Sequence, residues 1–257
     1  MQHLKISVAF LIFVFTFNLK ADVLFEGYYK VTQFKKHVGF LILRHEIDAK
    51  SGNFKTTSFI KLGKGGFDLT ETYQAVSTAD LAPLSISYLA AGEKKTKTIE
   101  AKIKDGKMTG LVIEDGKKTK LSAPVQKGTF LSSALYYLML KSKDGLKSGA
   151  KFDYVALTEE GPVPLNGTVS IDKKMTTQGS LQLLKVNNRF AGSDYDNLVT
   201  TRGEVVSAVT PATSIESELV KDPAEATEGI KLPAGTLEKI FGAVPAGTTN
   251  VYFNKGK

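Results

Sequence analysis

An alternation of apolar and polar positions with period two dominates this chain from residue 23 onward. Residues 23–31 (VLFEGYYKV) and 38–47 (VGFLILRHEI) are rich in β-branched and aromatic side chains, and the polar stretch 34–37 joins them, which predicts a hairpin. A third strand is expected over 54–62, ended by the turn Gly63-Lys64-Gly65-Gly66, a fourth over 67–76, and a fifth over 84–90 after Pro83. Residues 95–103, 107–113 and 117–121 are separated by Asp105-Gly106 and Asp115-Gly116. Asp-Gly between alternating runs is a strong hairpin signal, so these strands read as an antiparallel meander.

The period then changes. Residues 129–140 (TFLSSALYYLML) are almost continuously apolar, and Leu131, Leu135, Leu138 and Met139 fall at helical spacing. Thr129 or Ser132 suits a helix start, Lys141 and Lys143 suit its end, and Gly145 closes it, so a helix covering a sheet face is expected. Strands resume over 152–157, 163–171, 181–187, 198–201 and 204–209. From Pro211 the composition loosens, with one short helix expected over 236–241. The fold class that follows is mainly β: a large curved antiparallel sheet, a half-barrel or open barrel, with one covering helix. The expected organisation is a leader over 1–21, a β domain over 22–220 and a C-terminal extension over 221–257.

The leader follows from a different pattern. Lys5 precedes the uncharged run 6–17 (ISVAFLIFVFTF), and Asn18-Leu19-Lys20-Ala21 ends on a small residue. Basic, apolar and small-residue segments in that order make a secretory signal peptide, and the apolar run is shorter than the ~20 residues of a membrane span. The sequence therefore predicts an exported, periplasmic protein, soluble after a cut that leaves Asp22 first. There is no cysteine, which excludes disulfides, thiolate metal sites and lipid attachment through a cysteine after the leader. The whole chain carries a formal charge of +8. Its lysines, among them Lys94-Lys95-Thr96-Lys97 and Lys117-Lys118-Thr119-Lys120, read as solvated strand faces that keep sheet edges from pairing. A basic surface also allows weak contact with an anionic membrane surface. Nucleic acid is not expected as a partner, because the chain is exported and lacks an arginine-aromatic cluster.

No pattern of catalytic residues stands out. His45-Glu46 lacks the second histidine of a zinc-protease box, since position 49 is Ala49, and strand geometry sends the two side chains to opposite faces. His37 and His45 read as exposed or edge residues. No Gly-x-Ser-x-Gly elbow exists, and Ser132 and Ser133 read as helix caps. Asp194-Tyr195-Asp196-Asn197 and Glu159-Glu160-Gly161-Pro162 read as turns. No cofactor or metal is expected. The aromatic content offers more: Phe25, Tyr29, Phe40, Leu131, Leu135, Tyr136 and Met139 form either a core or the wall of an apolar ligand site between sheet and helix.

Tyr28-Tyr29-Lys30-Val31 followed by His37-Val38-Gly39-Phe40 resembles the opening of the exported β domain found ahead of some bacterial transglutaminase-like domains. Gly145-Leu146-Lys147-Ser148-Gly149, and Thr201-Arg202-Gly203-Glu204-Val205-Val206 leading to Pro211, are similar to later parts of that domain. The resemblance implies a large curved sheet standing without its catalytic partner, and it implies no catalytic residues. The functional expectation is a non-enzymatic binding or interaction module with a periplasmic protein partner. The alternatives are a carrier of an acyl chain or other apolar ligand in a concave sheet, and a hydrolase with an unrecognised site.

Overall fold

The computed structural model describes residues 21–93, 95–143, 145–161 and 163–253. The leader expected over 1–21 lies, but for Ala21, outside the described residues.

One sheet of 16 strands carries the fold. Its first half is the expected meander: β1 (Asp22–Gln33), β2 (Lys36–Ile47), β3 (Phe54–Leu62), β4 (Leu69–Ser77), β5 (Pro83–Gly92), β6 (Thr96–Lys104), β7 (Lys107–Glu114) and β8 (Lys117–Pro124), each antiparallel to the next. β1 also pairs with β16 (Ile215–Val220), and the path continues through β15 (Val205–Thr210), β14 (Ser193–Val199), β13 (Leu181–Phe190), β11 (Pro164–Ile171) and β10 (Lys151–Leu157) to β9 (Phe130–Leu131). The short β12 (Thr176–Gln178) pairs β13 off this path. β9 joins β10 in parallel, which makes the sheet mixed, and the two ends of the path do not pair. The fold is thus mainly β, curved and unclosed. β9 comes to lie against β4, so the two halves of the sheet face each other across their inner sides.

Alternation assigns the faces. Phe25, Tyr29, Leu43 and His45 point inward, and the next residues on the same strands, Glu26, Tyr28, Phe40, Ile42 and Arg44, point outward. Between the halves lie two inner cores. One contains Phe54, Phe130, Leu135, Met139, Val186 and Val199, and the other Ile86, Tyr88, Ile99, Met108, Leu131 and Leu157. At the free edge of β8, Lys117, Lys118 and Lys120 are exposed, where unpaired backbone would otherwise recruit another strand.

The expected helix over 129–140 begins later than the spacing predicts. Phe130 and Leu131 are extended, Ser132–Ala134 form one 3-10 turn, and α1 spans Leu135–Lys141. Both sides of the Phe130-Leu131 segment are buried, and pairing with Ala156 and Leu157 satisfies its backbone. The serines do not cap: no side-chain cap bond forms at this turn, and Ser132 instead donates to Glu159. The Asp194-Tyr195-Asp196-Asn197 segment is not a turn but the body of β14, and the turn lies before it at Ala191 and Gly192, both at positive φ. β16 carries only three inward positions, Ile215, Ser217 and Leu219, and falls where the composition loosens. The first hairpin closes on Phe34 and Lys35 alone, at φ 47° and 63°. That is a primed-turn geometry which usually selects Asn-Gly, so its non-glycine residues hide the turn.

The C-terminal segment packs on the outer face of β1–β3. α2 (Pro223–Thr227) and α3 (Thr236–Phe241) bring Ala226, Leu237, Ile240 and Phe241 against Tyr28, Phe40, Ile42 and Phe59. Gln74 Nε2 donates to Ile240 O at 3.1 Å, and Tyr28 Oη donates to Pro245 O at 3.1 Å. α3 has the bounds expected for it.

Candidate functional site

Where the two halves of the sheet meet α1, the inner cores leave a cavity of about 380 Å³. Its walls come from β1 and β2 (Phe25, Tyr29, Leu43, His45), from α1 and the turn before it (Ser132, Ser133, Leu135, Tyr136, Tyr137), from the 158–160 bend, and from β13–β15 (Phe190, Tyr195, Asn197, Val205, Ala208). A volume of this size suits a small-molecule ligand. A second depression, about 490 Å³, crosses β4–β7 and is lined by Ser85, Glu100, Lys102 and Thr109 without aromatic walls.

Burial of polar groups distinguishes the first cavity. His45 is 6% exposed, inside rings of Phe54 (centroid distance 5.5 Å, stacked), Phe25 (6.1 Å) and Tyr137 (5.0 Å, edge-on), and its Nδ1 is 3.0 Å from Thr56 Oγ1. Burial pushes its pKa down to about 3, so the ring is neutral. Glu159 is 6% exposed. Ser132 Oγ donates to it at 2.6 Å and the Ser133 N–H at 3.2 Å, so this carboxyl serves the helix-start donor that a serine cap would have served. Burial raises the Glu159 carboxyl above the usual range, against the pull of those hydrogen bonds. Ser133 Oγ lies beside the same carboxyl and Tyr136 Oη lies toward Asn197, yet neither completes a hydrogen bond. Tyr29 Oη donates to Val205 O at 2.8 Å. Burial raises the phenols of Tyr29, Tyr73, Tyr136 and Tyr137, so all are protonated donors at ordinary pH. Glu204, also buried, accepts from Thr200 Oγ1 at 3.0 Å and from Arg202 Nη2 at 2.9 and 3.0 Å.

Of the residues singled out from the sequence, Phe25, Tyr29, Leu135 and Tyr136 line this cavity. Leu131 packs in the core with Leu157 and Ile86, and Met139 packs with Phe54 and Val199. Phe40 sits on the opposite face, against Phe59 and the C-terminal segment. The register explains this: Lys30 pairs with Phe40 and Tyr29 with Leu41, so Tyr29 and Phe40 cannot share a face. His37 and His45 are far apart in the fold. His37 is on the outer side, its Nε2 2.9 Å from Gly39 O and 3.0 Å from Ala226 O, while His45 is buried in the cavity wall rather than exposed. Sequence reasoning missed His45, Tyr73, Glu159 and Glu204 as wall residues, while Tyr137, which beside Tyr136 reads as a candidate for such a wall, does line it. The inward parity shared by Phe25 and His45 was the available signal for His45, and nothing local marks Glu159 as buried.

Among the described residues no group of three His, Cys, Asp or Glu is placed to hold a metal, and no helix is long and apolar enough to cross a membrane. No family model matches the chain, and no curated protein matches it. Among solved structures it is similar to a DUF1089 family protein from Pseudomonas aeruginosa, at 15% identity and a TM-score of 0.38, over 70% of this chain and 92% of that one. A likeness this loose carries no argument.

Proposed function

We propose that this chain is an exported, non-enzymatic binding protein that holds a small molecule with a substantial apolar part inside its curved sheet. The observation that supports it is the cavity of about 380 Å³ walled by Phe25, Tyr29, Leu43, Leu135, Tyr136 and Phe190, with hydroxyls left unpartnered beside it. Apolar walls with a few placed polar groups are the usual build of a ligand site. A hydrolase built on a serine–histidine pair needs the serine hydroxyl facing the imidazole. Here the Ser132 hydroxyl is spent on Glu159, and the His45 Nδ1 is engaged by Thr56.

The test fills the space. Wild type is expected to bind the neutral probe N-phenyl-1-naphthylamine saturably, about one per chain. Ala208→Trp, which places an indole in the cavity, is expected to weaken that binding at least ~10-fold at unchanged thermal stability. Absence of saturable uptake by wild type overturns the reading.

Export rests on the order of charge and hydropathy over residues 1–21. Because β1 begins at Asp22, a cut after Ala21 removes no part of the sheet. Terminal sequencing of the protein from its source is expected to begin at Asp22, and an intact Met1 terminus on the folded protein contradicts export by this route.

A further inference from the structure

We propose that the ligand of this cavity carries an organic cation, an ammonium group attached to an apolar body. This inference rests on the cavity being a binding site and narrows what it binds.

The protein is basic, with 34 Lys+Arg against 26 Asp+Glu. Its cavity has the opposite character. Among the described residues no lysine or arginine lines it, while Glu159, Glu160 and Glu204 do. Glu204 has its counter-charge in Arg202, held through two nitrogen-oxygen contacts of 2.9 and 3.0 Å. Glu159 and Glu160 have no ion-pair partner among the described residues. Behind them the Glu71 carboxyl, which accepts from Tyr88 Oη at 3.0 Å, has its pKa pushed up first by burial and then by the charges of Glu160 and Glu159. Glu71 thus feels the negative charges of Glu159 and Glu160, and a further negative charge placed beside them would add to that repulsion. A fatty-acid headgroup would add one more. An ammonium group would relieve the repulsion instead.

The remaining wall suits a cation as well. Tyr73, Tyr136 and Tyr137 line the same cavity, Tyr73 within the field of Glu159 and Tyr137 within that of Glu204, and tyrosine faces attract cations within about 6 Å of the ring. Ser133 Oγ and Tyr136 Oη have no hydrogen-bond partner, and each hydroxyl oxygen can accept from an ammonium N–H. Carboxylates without ion-pair partners, tyrosine rings and buried hydroxyls thus line one cavity with the apolar side chains Phe25, Leu43, Leu135 and Phe190.

The experiment uses the full mature chain and four probes of one chain length, each below its micellar concentration: dodecylamine, dodecyltrimethylammonium, 1-dodecanol and dodecanoate. Competition with N-phenyl-1-naphthylamine reads their affinities. At least one cation is expected to bind ~10-fold or more tightly than dodecanoate, with dodecanol between. A lead for the primary amine assigns recognition to the carboxylates and free hydroxyls, and a lead for the quaternary ion assigns it to the tyrosine faces. Glu160→Gln, at an exposed position whose change does not endanger folding, is expected to weaken the cation ~3- to 10-fold and leave dodecanol unchanged. Dodecanoate binding as tightly as the cations overturns the inference and leaves the cavity a binding site. Equal cation affinity in wild type and Glu160→Gln also overturns it. If neither the naphthylamine nor any of the four binds, the function proposed above falls with it.

Discussion

Glu26→Ala is expected to lower the stability of this protein by about 3–5 kcal/mol and to free its C-terminal segment. Glu26 and Arg44 are neighbours on the outer face of β1 and β2, with side chains 8% and 11% exposed. Arg44 Nη2 and Nε meet Glu26 Oε2 at 2.5 and 2.6 Å. The other oxygen, Oε1, accepts the backbone N–H groups of Ala246 at 2.7 Å and Gly247 at 3.0 Å. Arg44 in turn donates from Nη1 to Phe241 O at 2.8 Å, and its guanidinium lies 5.0 Å from the centre of the Phe241 ring. One carboxylate thus binds an arginine and two backbone donors of a segment more than 200 residues away. Removing it leaves the buried Arg44 with only the longer 4.0 Å contact to Glu46, which Lys55 shares, and leaves two N–H groups unpaired, which is the expensive way to break a buried pair. Urea unfolding measures the loss, and limited proteolysis between α2 and α3 reports release of the segment. Glu26→Ala/Arg44→Met, which removes both charges, is expected to recover part of the loss. A Glu26→Ala midpoint within about 0.5 kcal/mol of wild type, with the segment still protected, contradicts the clamp.

This clamp was invisible in the sequence, and the reason is general to the fold. Alternation and Asp-Gly turns are local, so β3 and the hairpins around Gly106 and Gly116 could be read directly. Which strand neighbours β1 on its other side is a long-range fact. β16 reaches that place with only three inward residues, and its outward Glu216 and Glu218 make it look like a loop. β14 misleads for the same reason. Its outward Asp194 and Asp196 have turn composition, while its inward Tyr195 and Asn197 belong to the cavity wall. The apolar half of the wall was legible because Phe25, Tyr29, Leu135 and Tyr136 are the residue types that bury themselves. The charged half was not, because the burial of Glu159 and Glu204 depends on where the 158–160 bend and the 200–204 turn fold back, which no period in the chain encodes.

His45 gives the cavity wall a measurable acid sensitivity. In the folded protein its pKa lies near 3 because burial penalises the imidazolium, while the unfolded chain takes up a proton near the ordinary value of 6.5. Above pH 6.5 the ring is neutral in both states and contributes no pH dependence. Below it the unfolded state binds more protons, so stability falls as pH drops from 6.5 toward 3. At pH 4 the expected loss from this one residue is about 3 kcal/mol, taking 1.36 kcal/mol per pH unit. Glu159, raised by the same burial, acts with the opposite sign, since the folded state holds its proton more tightly. The comparison must therefore isolate the histidine. His45→Gln removes the titration and keeps a group able to bond Thr56 Oγ1. It is expected to be less stable than wild type at pH 7.5, through lost packing against Phe25, Phe54 and Tyr137, and to close or reverse that gap by about 3 kcal/mol at pH 4. Urea unfolding at the two pH values decides it: an equal gap at both means that His45 is not held neutral in the wall. Any cation drawn into this cavity then meets a neutral ring at His45 down to mildly acidic pH, and among the described residues no lysine or arginine lines the wall to oppose it.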